Sequence, residues 1–330
     1  MRKKVLTGCT WLLAGALLIA SSCKKSEDPA PPATTTTTTT TDANPEKTSS
    51  SDESDVQAAA DGALNDANTT LSSTTGVNKM ETEIVVGAKV DTTYLKAGGY
   101  ITITYNGAGE DPNKTRSGSI ILKKLTPTKR WKDMGASFLV SFNNYKTTNL
   151  KSNKSVTLNG YKKFTNKTGG RVADLYSTTS GVTSVAFSAH GKLSITFDNG
   201  SSRDWFVTRL TTYSKSNNSL IVKIDGDTTI AGFPGNVVEG GKNRNNETFT
   251  NVISTPIEYH KPMPNSTSPC NFPKPYAGVR THFGDHSYTM TLGLDSTGAV
   301  IQPGICPMSS SFRIDWVKDK LPKTILIKNY

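Results

Sequence analysis

Histidine and cysteine are scarce in this chain of 330 residues, with four of each. No histidine pair stands in an HExxH frame and no two cysteines form CxxC, which removes zincin-type metal chemistry and thioredoxin-like redox chemistry. GxSxG and the P-loop are missing as well, so neither a nucleophile elbow nor a Walker-type phosphate cradle is encoded. Hydrophobic residues make up 35% of the chain, too few for a multi-span membrane protein. The long apolar run, Val5 to Ala20, is shorter than the roughly 20 residues of a permanent span.

That run has its own meaning. Arg2, Lys3 and Lys4 precede it, and the small residues Ala20, Ser21 and Ser22 lead from it into Cys23. Basic, apolar and small residues in this order make an export signal over residues 1–22. The junction resembles the lipobox of bacterial lipoproteins, with Ala20 where the family usually has Leu and Cys23 as the lipidated first mature residue. Leu6-Thr7-Gly8-Cys9 is nearer the consensus in letters but has too little apolar chain before it to insert. The resemblance implies membrane lipid as a partner, through several acyl chains of the palmitate type, because one chain binds only marginally. Lys24 and Lys25 follow in place of the Asp that retains lipoproteins at the inner membrane. Cys23-Lys24-Lys25-Ser26-Glu27-Asp28 is similar to the start of Bacteroidota-type lipoproteins, which implies the outer membrane and the cell surface.

Residues 23–55 read as the lipidated cysteine and a tether. Pro29, Pro31 and Pro32, the run Thr34 to Thr41 and the acid- and Ser-rich stretch after it bury too little apolar area to offset chain entropy. Such a segment reaches roughly 30 Å as a coil and about 100 Å if stiffened. The signal carries +3 and the tether −4, so the rest of the chain holds 11 − 3 + 4 = +12. Nucleic acid is no partner for a tethered envelope protein. Anionic envelope glycan or lipid is the functional reading of the charge, and lysine-rich solubility the plain one. Residues 56–82 form a short helix and lead-in, with Val56, Ala59, Ala60, Ala63, Leu64 and Ala67 in a weak apolar stripe over Val56 to Leu71.

From Glu83 the period changes to two. Ile101, Ile103 and Tyr105, then Leu193, Ile195 and Phe197, then Tyr288, Met290, Leu292 and Leu294, then Phe312, Ile314 and Trp316 alternate with mostly polar residues. The fold class is all-β, a large antiparallel multi-stranded sheet or sandwich over 83–330, with a sub-boundary near 240–265. Asn106-Gly107, Asn159-Gly160, Asn199-Gly200 and Asp225-Gly226 read as turns. Cys270 and Cys306, the cysteines left after the signal and the anchor, predict a structural disulfide in an exported protein. Its loop of 306 − 270 = 36 residues would stabilise by about 4 kcal/mol in the chain-entropy account.

Tyr100–Gly107, Arg116-Ser117-Gly118-Ser119-Ile120-Ile121 and Phe138–Tyr145 are similar to a recurring strand set of uncharacterised Bacteroidota-type outer-membrane lipoproteins. Leu193–Trp205 and the Cys270…Cys306 pair fall in the corresponding later places. The resemblance covers most of residues 60–320 and implies fold, with no activity attached.

Three groups of side chains are candidates for chemistry. His282, Asp285 and His286, completed by His260, hold ligand types for a divalent metal, against the plain reading of Gly284-Asp285 as a hairpin turn. Trp131, Trp205 and Trp316 offer flat faces for stacking pyranose rings, against the plain reading of core packing. Glu110, Asp111, Glu258, Asp285, Asp295 and Asp315 are the carboxylates from which a glycosidase would need a facing pair. Asp91-Thr92-Thr93, Asp227-Thr228-Thr229 and Asp295-Ser296-Thr297 resemble acceptor motifs for bacterial O-glycosylation. No catalytic residue is nominated and no cofactor is expected. The sequence thus predicts a lipid-anchored outer-membrane protein with a non-enzymatic binding or structural body. The alternative is a surface glycan-binding component of a polysaccharide-uptake system, or a glycosidase, taking anionic or neutral glycans.

Overall fold

The computed structural model describes residues 44–73, 85–94, 99–108, 112–177, 179–216, 219–262, 275–301 and 311–328. Cys23, the signal, most of the tether, Cys270, Cys306, Glu110 and Asp111 lie outside them, and with them the lipidation and disulfide sites.

Strands form where alternation is strictest. Ile101, Ile103 and Tyr105 are buried, as are Leu193, Ile195 and Phe197, while Thr104 and Lys192 beside them are exposed. The fold is all-β. The described strands are β1 (Ala88–Asp91), β2 (Tyr100–Ala108), β3 (Lys114–Lys124), β4 (Ser137–Asn149), β5 (Lys154–Asn166), β6 (Ser184–Phe197), β7 (Ser202–Ser216) and β8 (Ser219–Gly226). They continue with β9 (Thr228–Thr229), β10 (Asn236–Lys242), β11 (Thr248–Pro262), β12 (Pro275–Phe283), β13 (Tyr288–Leu294), β14 (Ser311–Lys318) and β15 (Leu321–Ile327). All fifteen belong to one antiparallel sheet in near-sequential order. β8 and β10 share one slot end to end. β7 pairs β10 through Trp205–Val207 and β8 through Arg209–Ser216, and β11 pairs the same two strands from the other side. The stretch near 240–265 therefore runs as β10 and β11 inside the same sheet.

Two of the expected turns do other work, and the first, Asn106-Gly107, lies inside β2 and pairs with Ser117 and Arg116 of β3. Asn199-Gly200 does join β6 to β7, but Asn159-Gly160 sits in the middle of β5. There the register with β4 shifts between Phe142 and Tyr145, and Asn159 Oδ1 accepts a hydrogen bond from the Asn144 amide at 2.8 Å. Gly160 has φ +106° and Gly118, at the matching shift between β3 and β4, φ +80°. A Cβ on Gly118 would stand 2.0 Å from the Asn144 carbonyl oxygen. Bulges of this kind bend long strands and sharpen their twist.

One face of the sheet is covered by α1 (Asn44–Ser73), 30 residues long and so about 45 Å from end to end. Val56, Ala59, Ala60, Ala63 and Ala67 are buried in one core with Ile101, Ile120, Val140, Leu158, Leu193, Trp205 and Phe249. The expected helix is present, but it begins twelve residues before Val56 and takes in 44–55, which composition assigns to the tether. Pro45 falls in its first turn, where a missing N–H is tolerated. The reason for the added length lies in the sheet. Asp52 and Glu53 are 2% and 1% exposed and meet arginines far along the chain, Arg244 in the turn after β10 and Arg280 on β12. A second cluster gathers Leu175, Val185, Leu220 and Val222, and a third Tyr288, Met290, Ile314 and Trp316.

Candidate functional site

A single row of cross-strand neighbours carries most of the titratable chemistry beneath α1. Lys162, Gly191, Val207, Glu239, Asn251, His282, Tyr288 and Trp316 pair in that order from β5 to β14. The helix sets Glu53 against the middle of the row. Glu53 Oε2 accepts from Asn251 Nδ2 at 2.9 Å and pairs with Arg280 Nη2 at 3.1 Å, while Oε1 is 2.8 Å from His282 Nδ1. Asn251 Nδ2 also donates to Glu239 Oε1 at 2.9 Å, and Arg280 Nη1 is 3.7 Å from the same oxygen. The His282 ring is stacked between Phe249 and Tyr288 at 5.3 and 4.7 Å.

Burial acts on both glutamates, with opposite outcomes. For Glu53 the Arg280 charge and the bonds to His282 and Asn251 outweigh burial and hold the carboxyl below its ordinary value. For Glu239 burial and then the nearby Glu53 charge push the carboxyl up. Such a split is how acid and base roles are divided in many active sites. Here, however, Glu53, Glu239, Asn251 and His282 are each 4% exposed or less. The arrangement anchors α1.

Three further anchors repeat the theme along the helix. Arg244, in the β10–β11 turn, grips Asp52 through Nε–Oδ2 at 2.5 Å and Nη2–Oδ1 at 2.7 Å. Arg209 of β7 pairs with Asp61 at 3.0 Å. Asp66 accepts from Arg116 Nη1 at 2.6 Å and from the Tyr105 hydroxyl at 2.8 Å. An acidic helix is thus tied at four points to arginines of β3, β7, the β10–β11 turn and β12.

The metal candidates do not converge. His282 points into the core, while Asp285 and His286 are exposed in the β12–β13 turn, His286 Nε2 lying 3.7 Å from Glu247. His260 pairs with Glu258 at 2.6 Å and stacks on Tyr276. Among the described residues no three His, Cys, Asp or Glu side chains gather to hold a metal ion. This corrects the metal reading: the turn between the two histidines sends them to opposite environments.

The tryptophans do not form a platform either, and alternation explains why. Trp205 is 1% exposed, edge-on to Phe249, with its indole N–H donating to the Lys242 carbonyl. Trp316 is 8% exposed beside Tyr288 and Ile314, and Trp131 is half-buried, stacked on Phe187 and edge-on to Phe138. The described carboxylates have separate local duties. Glu258 meets Lys223 and His260, Asp315 meets Arg313 and Thr324, and Asp295 caps its own turn. The Asp91 and Asp295 motifs likewise close turns on their own Thr93 and Thr297 amides.

The residue that sequence reasoning passed over is Phe206. If Trp205 faces the core, the next side chain faces away from it, so the dipeptide itself held the signal. Phe206 is half-buried on the outer face, paired with Lys192 on one side and Gly240 on the other. A Cβ on Gly240 would come within 2.6 Å of the Phe206 ring, so the ring lies across the glycine. Around it is a cleft of about 540 Å³, open to solvent, lined also by Lys192, Arg203, Asp204, Lys242 and Asn246. Comparison with protein-family models, curated proteins and solved structures returns no match. Function must therefore be argued from this chain's own residues.

Proposed function

We propose that the protein is a lipid-anchored component of the outer membrane, similar to Bacteroidota-type lipoproteins, acylated at Cys23. Its β body would serve as a non-enzymatic binding or structural module. The order signal, Cys23, Thr-rich tether and basic body supports the anchor. The observation that carries the module reading is the fate of the buried acids and bases: those beneath α1 hold the helix to the sheet. Because α1 follows the tether directly, the four ion-paired anchors also give the tether a firm attachment across the sheet. Cell fractionation tests the anchor. Cys23→Ala should leave membranes or accumulate with its signal uncleaved, and a variant that stays membrane-bound at the mature mass would refute the placement of the lipid. Protease treatment of intact cells then asks which side of the membrane the body occupies.

A second reading, surface glycan binding, is favoured by the outer cleft at Phe206. It replaces the three-tryptophan platform with one half-buried, outward-facing ring among polar side chains, the composition that sugar-binding surfaces use.

A further inference from the structure

We infer that the outer cleft at Phe206 takes an acidic pyranose chain, one whose sugars carry a carboxylate. This rests on the glycan-binding reading and specifies its ligand. The ring is presented by an unusual floor. Across β10 the partner of Phe206 is Gly240, and with no side chain there the phenyl ring settles over the backbone. One of its faces is thereby turned to the cleft, where the C–H face of a sugar ring packs.

The polar rim fixes the charge of the ligand. Lys192 and Lys242 face one carboxylate, Asp204, giving a local balance of 2 − 1 = +1. Arg203, on the same face of β7 as Trp205, is turned away from the rim and donates to the carbonyls of Asn243 and Arg244 at 2.7 and 2.8 Å. Lys192 and Lys242 are exposed, and Lys242 Nζ meets Asn246 Oδ1 at 3.1 Å. Two exposed ammonium groups flank the ring and suit carboxylates of successive sugars. Asp204 and Asn246 are placed to accept and donate to hydroxyls.

The outer row continues away from the cleft as Phe206, Lys192 and Tyr161, on β7, β6 and β5. Tyr161 is 47% exposed and stands two strands from Phe206, about 10 Å away. An aromatic, a cation and a second aromatic in line fit a chain of rings better than a lone anion, which would need no ring face at all.

The test compares one backbone in two charge states, at 0.15 M salt. Polygalacturonate and its fully methyl-esterified form are titrated calorimetrically into the purified full-length chain. Saturable binding of the acid, about tenfold tighter than the ester, is expected. Phe206→Ala should weaken the acid about tenfold, Phe206→Trp should keep it, and Lys192→Gln with Lys242→Gln should bring acid and ester to equal affinity. Circular dichroism and melting of each variant separate lost binding from lost fold. Equal binding of acid by wild type and a folded Phe206→Ala would overturn the site. Ester binding as tight as acid, still dependent on Phe206, would overturn the acidic class and keep the glycan reading. Flat titrations with both polymers overturn this inference, and neutral polysaccharides then test the broader reading.

Discussion

Replacing Lys162 by Met should stabilise the protein at neutral pH and flatten part of its pH dependence. Lys162 is 3% exposed on β5, at the start of the row beneath α1. Its neighbour across the sheet is Gly191, where a Cβ would come within 2.9 Å of the Lys162 stem and 2.2 Å of the Tyr161 carbonyl oxygen. Burial pulls the ammonium down to about 8 from 10.5; Asp61 and Glu239 oppose the shift, and the Arg209 charge adds to it. The difference of 2.5 units corresponds to about 3 kcal/mol, as an order of magnitude. The sign follows from proton counts. Below pH 8 the amine is charged in both states and the folded state carries the full cost. Between 8 and 10.5 the unfolded chain holds more protons, so stability rises with pH. Tyr213 and Tyr259 reverse the trend, because burial raises both, Tyr259 to about 12, and the unfolded chain ionises first above about pH 10. Urea midpoints at pH 7, 8, 9 and 10 measure the effect. Wild type should gain from 8 to 10, whereas Lys162→Met should be level there and more stable at pH 7 by about 2–3 kcal/mol. Equal slopes in the two proteins, or a variant clearly less stable at pH 7, would show that the ammonium holds Asp61 and Glu239 more than burial costs it.

The two glutamates beneath α1 should differ in the same assay. Glu53→Gln leaves Arg280 short of a charge partner and should cost about 3–5 kcal/mol; Glu239→Gln removes a carboxylate that burial and the Glu53 charge disfavour, and should cost less. A reversed order in thermal melts at pH 7 would refute the assignment of charge. On acidification, Asp52, Asp55 and Glu239, all raised by burial, should add stability as pH falls through their folded values toward 3.8–4.5. Glu53 contributes above 4.5 and should lose its share as pH falls below that through its lowered folded value. A stability maximum on the acid side of neutrality, with the acid-side fall reduced in Glu53→Gln, is therefore expected from melts across pH 3–7. Asp66→Asn weakens the hold of Arg116 and Tyr105 on the end of α1, and should speed amide exchange over residues 62–73 while residues 50–56 keep their protection.

What the sequence made legible is what repeats locally. The alternation at Ile101, Ile103 and Tyr105 and the alanine stripe of α1 need only neighbours within a few residues to be recognised, and both are buried as the pattern requires. The turn reading of Asn159-Gly160 failed because the same φ > 0 requirement serves a bulge in a long strand as well as a hairpin. The first half of α1 was illegible for a different reason. Its composition is that of a solvated tether, and its burial depends on partners 192 residues away for Arg244 and Asp52 and further still for Arg280 and Glu53.

That distance also changes how the basic charge should be understood. Arg116, Arg209, Arg244 and Arg280 are spread along the chain with no cluster to notice, yet the sheet collects all four against one helix. Arginine suits this role, because a planar guanidinium can satisfy two acceptors at once in a partly dry setting, as Arg244 does with Asp52. Lysine dominates at the outer cleft, where Lys192 and Lys242 remain exposed. Part of the body's positive charge is therefore structural, and ligand binding should be sought among the lysines outside. Neutralising Lys192 and Lys242 should lower binding with little change in melting, whereas Arg244→Gln should lower the melting temperature with little change in glycan preference. Finding the two effects exchanged would refute this division.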